Sequence, residues 1–186
     1  MALRRTRKKR APLMPGVGFD GEMVLKHRPY LKSDLQTICT FPQDEEELFY
    51  FYPKAMYPLT PEQLQSAIEQ RSDSTVVECN SLVVGFANFY RWEGGTCCIG
   101  NVVVAPRARG KGVAKYLIQT MISLASSRHA ATVVQIACFN QNTSGLLLYT
   151  KLGFKPFGIE VRQTPIGKRA ALIHMHYQFG QNPTTP

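Results

Sequence analysis

The hydrophobic pattern divides the chain into short β-type runs and amphipathic helical stretches. Runs rich in β-branched and aromatic residues at 23–27, 75–79, 82–92 and 96–105 predict strands. Asn80-Ser81 reads as a hairpin turn, Gly94-Gly95 turns into the fourth strand, and Pro106 ends it. A brief helix is expected from Ser33 or Asp34 through Cys39. Another is expected from Thr60, as cap, and Pro61, at the first helical position, to about Arg71. Val113, Leu117, Ile118, Met121, Ile122 and Leu124 recur at helical spacing, predicting a helix from Gly110 or Lys111 to Ser127. The near-continuous apolar run at 132–138 predicts a strand buried on both faces. A helix at 142–152 closes on Gly153, and strands at 154–162 and 170–179 flank a turn at 166–168. Strands first, then two strand–helix units, then a hairpin make a mixed α/β sheet with helices on its faces.

Composition narrows the class. Of 186 residues, 44% are hydrophobic and 19% charged, which suits one globular domain rather than a disordered chain. No apolar run reaches the roughly 18 to 20 residues that span a bilayer, and the basic start lacks the apolar stretch of a secretory signal. A cytoplasmic domain without membrane attachment is expected. The net charge of +9 is concentrated in Arg4, Arg5, Arg7, Lys8, Lys9 and Arg10; without these six it falls to +3. The expected organisation is a flexible basic extension over 1–21, one domain over 22–180 and a short tail over 181–186. The extension reads as solvated rather than nucleic-acid-binding, because no aromatics interleave its cations. Cys39, Cys79, Cys97, Cys98 and Cys138 are odd in number and show no CxxC spacing, against a disulfide framework or a zinc site.

Two stretches carry chemistry. In the first, the strand Asn101-Val102-Val103-Val104-Ala105 stops at Pro106, and the loop Arg107-Ala108-Arg109-Gly110-Lys111-Gly112 leads directly into a helix. Such a loop aims backbone N–H groups at an anion, with the positive end of the helix behind them. Gly110 and Gly112 allow close approach, while Arg107, Arg109 and Lys111 supply countercharge. Read alone, it is either a phosphate cradle or a glycine-rich connection on a basic surface. It is neither a P-loop nor a GxGxxG loop. In the second stretch, Asn142 and Tyr149 stand seven residues apart, two helical turns, and project from nearly one face. By themselves they read as a helix cap and a half-buried aromatic.

Together the two stretches resemble the GCN5-related N-acetyltransferase (GNAT) superfamily over about residues 22–179. Arg109-x-x-Gly112-x-Ala114 matches the family's pyrophosphate-loop pattern three residues past the strand-ending proline. Arg107-x-x-Gly110-x-Gly112 fits the same pattern but begins too close to that proline. Asn142, Tyr149 and Gly153-Phe154 match the family's later block. The resemblance implies a mostly antiparallel six- to seven-stranded sheet, splayed at its centre, with helices on both faces. It implies acetyl-coenzyme A as co-substrate and no metal. The backbone of Val102, Val103 and Val104 would pair with the pantetheine arm. Arg109 and the amides of Gly110, Lys111, Gly112, Val113, Ala114 and Lys115 would hold the pyrophosphate. Asn142 would contact the cofactor arm, and Tyr149 would stand near the thioester sulfur as general acid.

The expected reaction is direct attack of a neutral amine on the thioester. A lysine-like amine with pKa ~10.4 is only about one part in 2,500 neutral at pH 7, a deficit of roughly 4.6 kcal/mol, so a base or a lowered pKa is needed. No carboxylate occupies 99–105, where some relatives place one. The position five residues before Asn142, acidic in many N-terminal acetylating relatives, is Ala137. The remaining bases are Glu45, Glu46, Glu47, Glu78, Glu93, His174 and His176, with His174 and His176 on one strand face. The stretch 41–57 falls where the superfamily varies its acceptor pocket. Glu45 and Glu46 with Tyr50 and Tyr52 are the acceptor-site candidates there, an acidic run beside an aromatic wall. A small amine, polyamine or amino acid is the preferred acceptor. A protein lysine or N-terminal amine is the alternative, and a non-catalytic coenzyme A-binding or nucleic-acid-associated module is the reading from another class. A homodimer is compatible with the pattern but not required by it.

Overall fold

The computed structural model describes residues 23–180. The expected basic extension over 1–21 and the tail over 181–186 lie outside them. Seven strands form one sheet: β1 (Leu25–Pro29), β2 (Ser72–Cys79), β3 (Leu82–Arg91), β4 (Thr96–Val104), β5 (Val133–Phe139), β6 (Lys155–Gln163) and β7 (Arg169–Gln178). Their order is β1-β2-β3-β4-β5-β7-β6, antiparallel everywhere except between β4 and β5. The helices are α1 (Leu35–Cys39), α2 (Glu45–Phe51), α3 (Pro61–Glu69), α4 (Val113–His129) and α5 (Thr143–Lys151).

The sheet has helices on both faces. A Cβ on Gly85 would stand 3.1 Å from Val113 and 3.6 Å from Leu117, so that side of β3 lies directly under α4. Phe86, one residue on, meets Phe51 of α2 edge-on at 6.4 Å. Alternation along the strands therefore separates an α4 face from an α2 face. Phe86, Phe89, Ile99, Leu117, Ile118 and Met121 fill the core with almost no exposure.

Helix starts follow their caps. Asp44 and Thr60 accept hydrogen bonds from the amides of Glu47 and Gln63, and Pro61 takes the first position of α3. Three expectations need correction. α3 ends at Glu69, and β2 begins at Ser72 rather than near Thr75, because the polar Ser72-Asp73-Ser74 is drawn into the sheet edge. There Asp73 bonds Arg128 and His129 of α4. α4 starts at Val113, not at Gly110 or Lys111, because Gly110 and Gly112 take left-handed φ of 73° and 82°. Finally, β5 is not buried on both faces. Val134, Ile136 and Cys138 are buried on the α4 face, whereas Gln135 and Ala137 are half-exposed on the other, where the helical roof stops short.

Candidate active site

The sheet splits at its centre. β4 and β5 pair only through Thr96–Val133, Cys97–Val134, Cys98–Gln135 and Ile99–Ile136. Beyond Ile99 the strands part, so Val103 and Val104 pair with β3 alone. A bulge drives this: Asn101 and Val102 face the single residue Ala87, and Asn101 has φ of 49°. Asn101 Nδ2 donates to Phe51 O at 2.9 Å, tying α2 to the bulge. Asn101 Oδ1 and both polar side-chain atoms of Asn88 are buried without a partner among the described residues. A polar residue in a valine-rich strand was the available signal for this bulge, and sequence reasoning passed over it.

The loop after β4 opens on the same split. Pro106–Ala108 form one 3-10 turn, and Gly112 caps α4 without any side-chain hydrogen bond. By contrast, α2, α3 and α5 are each capped by a side chain, from Asp44, Thr60 and Asn142. The first amides of the 17-residue α4 are thus left to solvent or an anion. A Cβ placed on Gly110 or Gly112 would meet nothing within 4 Å, so the space over the loop is open. These features fit a diphosphate. Lys111 and Lys115 are exposed at this end of α4.

Arg109 is directed differently from the expectation of free countercharge. Its guanidinium grips Glu47 through Nη1 at 2.6 Å and Nη2 at 2.9 Å, and Nη2 and Nε donate to Phe41 O and Val104 O. The pairing holds the Glu47 carboxyl below and the arginine above their ordinary pKa values. Arg109 is therefore a strut between the loop and α2.

Asn142 caps α5, its Oδ1 accepting from Gly145 N at 3.0 Å. Gly145 is required there, since a Cβ would stand 2.9 Å from Asn142 Nδ2 and 3.0 Å from Cys138 Sγ. Tyr149 is buried, with 6% exposure, and packs on Phe154 at 6.1 Å. Burial, then the neighbouring Cys138, raises its phenol pKa well above the usual value. Cys138 belongs to the part of β5 already freed from β4. Burial pushes its own thiol up to about 12, as a hydrophobic residue rather than a nucleophile. The five cysteines are all unpaired.

The four acceptor candidates do not converge. Glu45 lines an open groove of about 520 Å³ with Phe49, Lys54, Met56 and Tyr57, closed across by Gln163–Pro165 of the β6–β7 turn. Glu46 accepts the Tyr50 hydroxyl, and Tyr50 leans on Phe139 at 5.7 Å. Tyr52 lies within electrostatic reach of Arg71. Among the candidate bases, Glu47 is held by Arg109, Glu78 by Arg28 on the far side of β2, and Glu93 lies in the β3–β4 turn. His174 stands directly across from Ala137, the first β5 residue past the last β4 pair, and its Nε2 lies 3.4 Å from Glu160. His176 stacks on Phe157 at 5.2 Å. Among the described residues no three His, Cys, Asp or Glu side chains converge as metal ligands, and no helix is long and apolar enough to cross a membrane.

The fold is shared with many solved structures. An N-acetyltransferase from Staphylococcus aureus Mu50 superposes with a TM-score of 0.69 at 21% identity, covering 83% of this chain and 98% of its own. Spermidine N-acetyltransferase from Vibrio cholerae, solved with CoA and spermine, gives 0.70 at 18% identity, covering 83% and 95%. The protein yncA from Salmonella typhimurium, solved with its cofactor acetyl-CoA, gives 0.66 at 20% identity, covering 87% and 98%. Among curated proteins none matches the chain by sequence. The model of the acetyltransferase (GNAT) family matches residues 36–154. With the bulged and split sheet, the uncapped glycine-led helix and nearly two thirds of its length matched, the chain belongs to the GNAT acetyltransferase family, whose members are acyl-transferring enzymes.

Proposed function

We propose that this protein transfers an acetyl group from acetyl-coenzyme A to the primary amine of a small molecule. The observation that carries the reading is the uncapped start of α4 beside the split. The amides of Gly110 through Lys115 hold the diphosphate, with Lys111 and Lys115 adding charge. The free edge of Val102–Val104 takes the amide groups of the pantetheine arm as an added strand. Asn142 orients the arm from the start of α5, and Arg109 acts through Glu47 by fixing the loop against α2.

In the chemical step the amine nitrogen attacks the thioester carbonyl carbon. The C–N bond forms, the C–S bond breaks, and the sulfur leaves as thiolate. Tyr149 donates a hydrogen bond to that sulfur; its raised pKa keeps the proton largely on the phenol, so it steadies the thiolate rather than surrendering the proton early. The proton lost by the amine passes to His174, which Glu160 orients. The amide and free coenzyme A are the products.

Glu45 lines the groove and marks the entry for the acceptor, while Tyr50, against Phe139, and Tyr52 stand outside that lining. The unpaired thiols suit a reducing compartment such as the cytoplasm. The test joins titration of coenzyme A by calorimetry to thiol release from acetyl-coenzyme A over a panel of amines. Coenzyme A binding with amine-dependent release is the expected result. Binding without release for any amine would leave a coenzyme A-binding module and defeat the enzymatic reading.

A further inference from the structure

Arg71, near the split, has no partner of opposite charge among the described residues. Arg71 follows α3, where its amide bonds Ile68 O at 3.0 Å, and its side chain lies half-buried on the α2 face of the sheet. The guanidinium sits over the Tyr90 ring at 5.5 Å. It presses on Gly100, where a Cβ would stand 2.8 Å from Nη1 and 2.9 Å from the Tyr90 ring. Gly100 comes directly after the last β4 residue paired with β5 and directly before the bulged Asn101. The cation therefore sits at the mouth of the split.

Its surroundings contrast with those of Arg28, which is also partly buried, and of the exposed Arg109 and Arg128. Arg28 holds Asp34 and Glu78, Arg109 holds Glu47, and Arg128 holds Asp73. Arg71 has no carboxylate within ion-pairing distance among the described residues. The titratable groups facing it are Tyr52 and Tyr90, and burial lowers its pKa. A desolvated guanidinium without a counter-anion is costly, and its planar fork matches a carboxylate.

Across the split lies the other half of this surface. Gln135 and Ala137 of β5 and His174 and His176 of β7 are half-exposed on the same α2 face. The row Gly100, Ala137, His174 crosses three strands, so Arg71 and His174 flank the opening at least two strand spacings apart, on the order of 10 Å or more because β4 and β5 have parted there. Two hydrogen bonds of about 2.9 Å each leave room for a short amine–carboxylate unit between them.

We infer that the acceptor is a small amine bearing a carboxylate, an amino-acid-like molecule, with Arg71 binding the carboxylate and the amine directed into the split toward His174. This rests on the acetyl-transfer reading above and adds the class of acceptor. The charge logic favours it over a polyamine. Attack requires a neutral amine, and a nearby guanidinium depresses an ammonium pKa, whereas a carboxylate cage raises it. The acidic side chains of α2 are also largely committed, Glu46 to Tyr50 and Glu47 to Arg109.

The test compares amino acids with their own carboxamides and with spermidine, following thiol release from acetyl-coenzyme A. The carboxamides are the less basic amines and would react faster if basicity alone decided. The expected result is at least tenfold higher kcat/KM for acids than for amides. In Arg71→Gln that preference disappears through KM for the acid, while coenzyme A affinity stays unchanged and Arg71→Lys restores part of it. Equal use of acids and amides, or preference for spermidine, overturns the assignment while leaving acetyl transfer intact. No transfer to any amine despite coenzyme A binding removes the enzymatic reading itself, and this inference with it. The wild-type comparison needs no variant to fold.

Discussion

At the scale of single residues, the phenol of Tyr149 is the sharpest test of the chemistry. Tyr149→Phe keeps the ring against Phe154 and removes only the donor. It is expected to lower kcat about 10- to 100-fold, at or below the lower end of the roughly 10²- to 10⁴-fold range for a full proton donor, because the phenol steadies the thiolate by a hydrogen bond. Coenzyme A affinity by calorimetry should stay within about twofold, and unchanged kcat would remove Tyr149 from the mechanism. Gly100→Ala tests the other side of the split. Its Cβ would fall within 3 Å of both Arg71 and Tyr90, so the arginine must swing away. The expected effect is a rise in acceptor KM with little change in coenzyme A affinity, measured by steady-state kinetics. Thr60, Asn142 and Pro106 were readable from sequence because caps and strand ends are set by local chemistry. Arg71 was not. Its neighbours Tyr90 and Gly100 are distant in sequence, and nothing in the local pattern marks an arginine that ends without an anion.

At the scale of elements, the start of α4 tests the binding reading. Gly112 has φ of 82° with open space where a Cβ would go, so Gly112→Ala adds backbone strain rather than a clash. A loss of about 1 to 2 kcal/mol is expected, visible as a lower Tm in thermal melts. Coenzyme A affinity should fall tenfold or more, because the methyl stands where the diphosphate approaches. Retained affinity would place the diphosphate elsewhere. Most elements were legible from periodicity, including both helices after β4. The start of β2 was not, because Ser72-Asp73-Ser74 reads as a loop until Asp73 meets Arg128 and His129 of α4. Nor was the half-open face of β5, since an apolar run says nothing about where neighbouring helices stop.

At the scale of the whole molecule, the charged contacts between elements set the acid limit of stability. Desolvation opposes ionisation of Asp73, but hydrogen bonds from His129, Ser72 and Arg128 outweigh it and hold its pKa below the ordinary 3.8. Asp34 is likewise held below 3.8 against desolvation, by Arg28 and the amide of Leu31. A depressed carboxyl stabilises the fold fully above its unfolded pKa and loses that contribution as pH falls through the folded one. Stability should therefore drop progressively below about pH 4. Asp73→Asn should flatten this part of a urea-denaturation series while lowering stability at pH 7. Sheet order was the least legible global feature. The terminal hairpin was expected, but its turn chemistry does not reveal that β7, rather than β6, joins β5.

The short ladder between β4 and β5 has a mechanical consequence. Among the described residues, four rungs are the only strand pairing between one half-sheet, β1 to β4, and the other, β5, β7 and β6. A guest strand laid along Val102–Val104 would act as a splint across this seam. Amide hydrogen exchange near Gly100 and Ala137 should then slow most on coenzyme A binding, with the outer strands hardly affected.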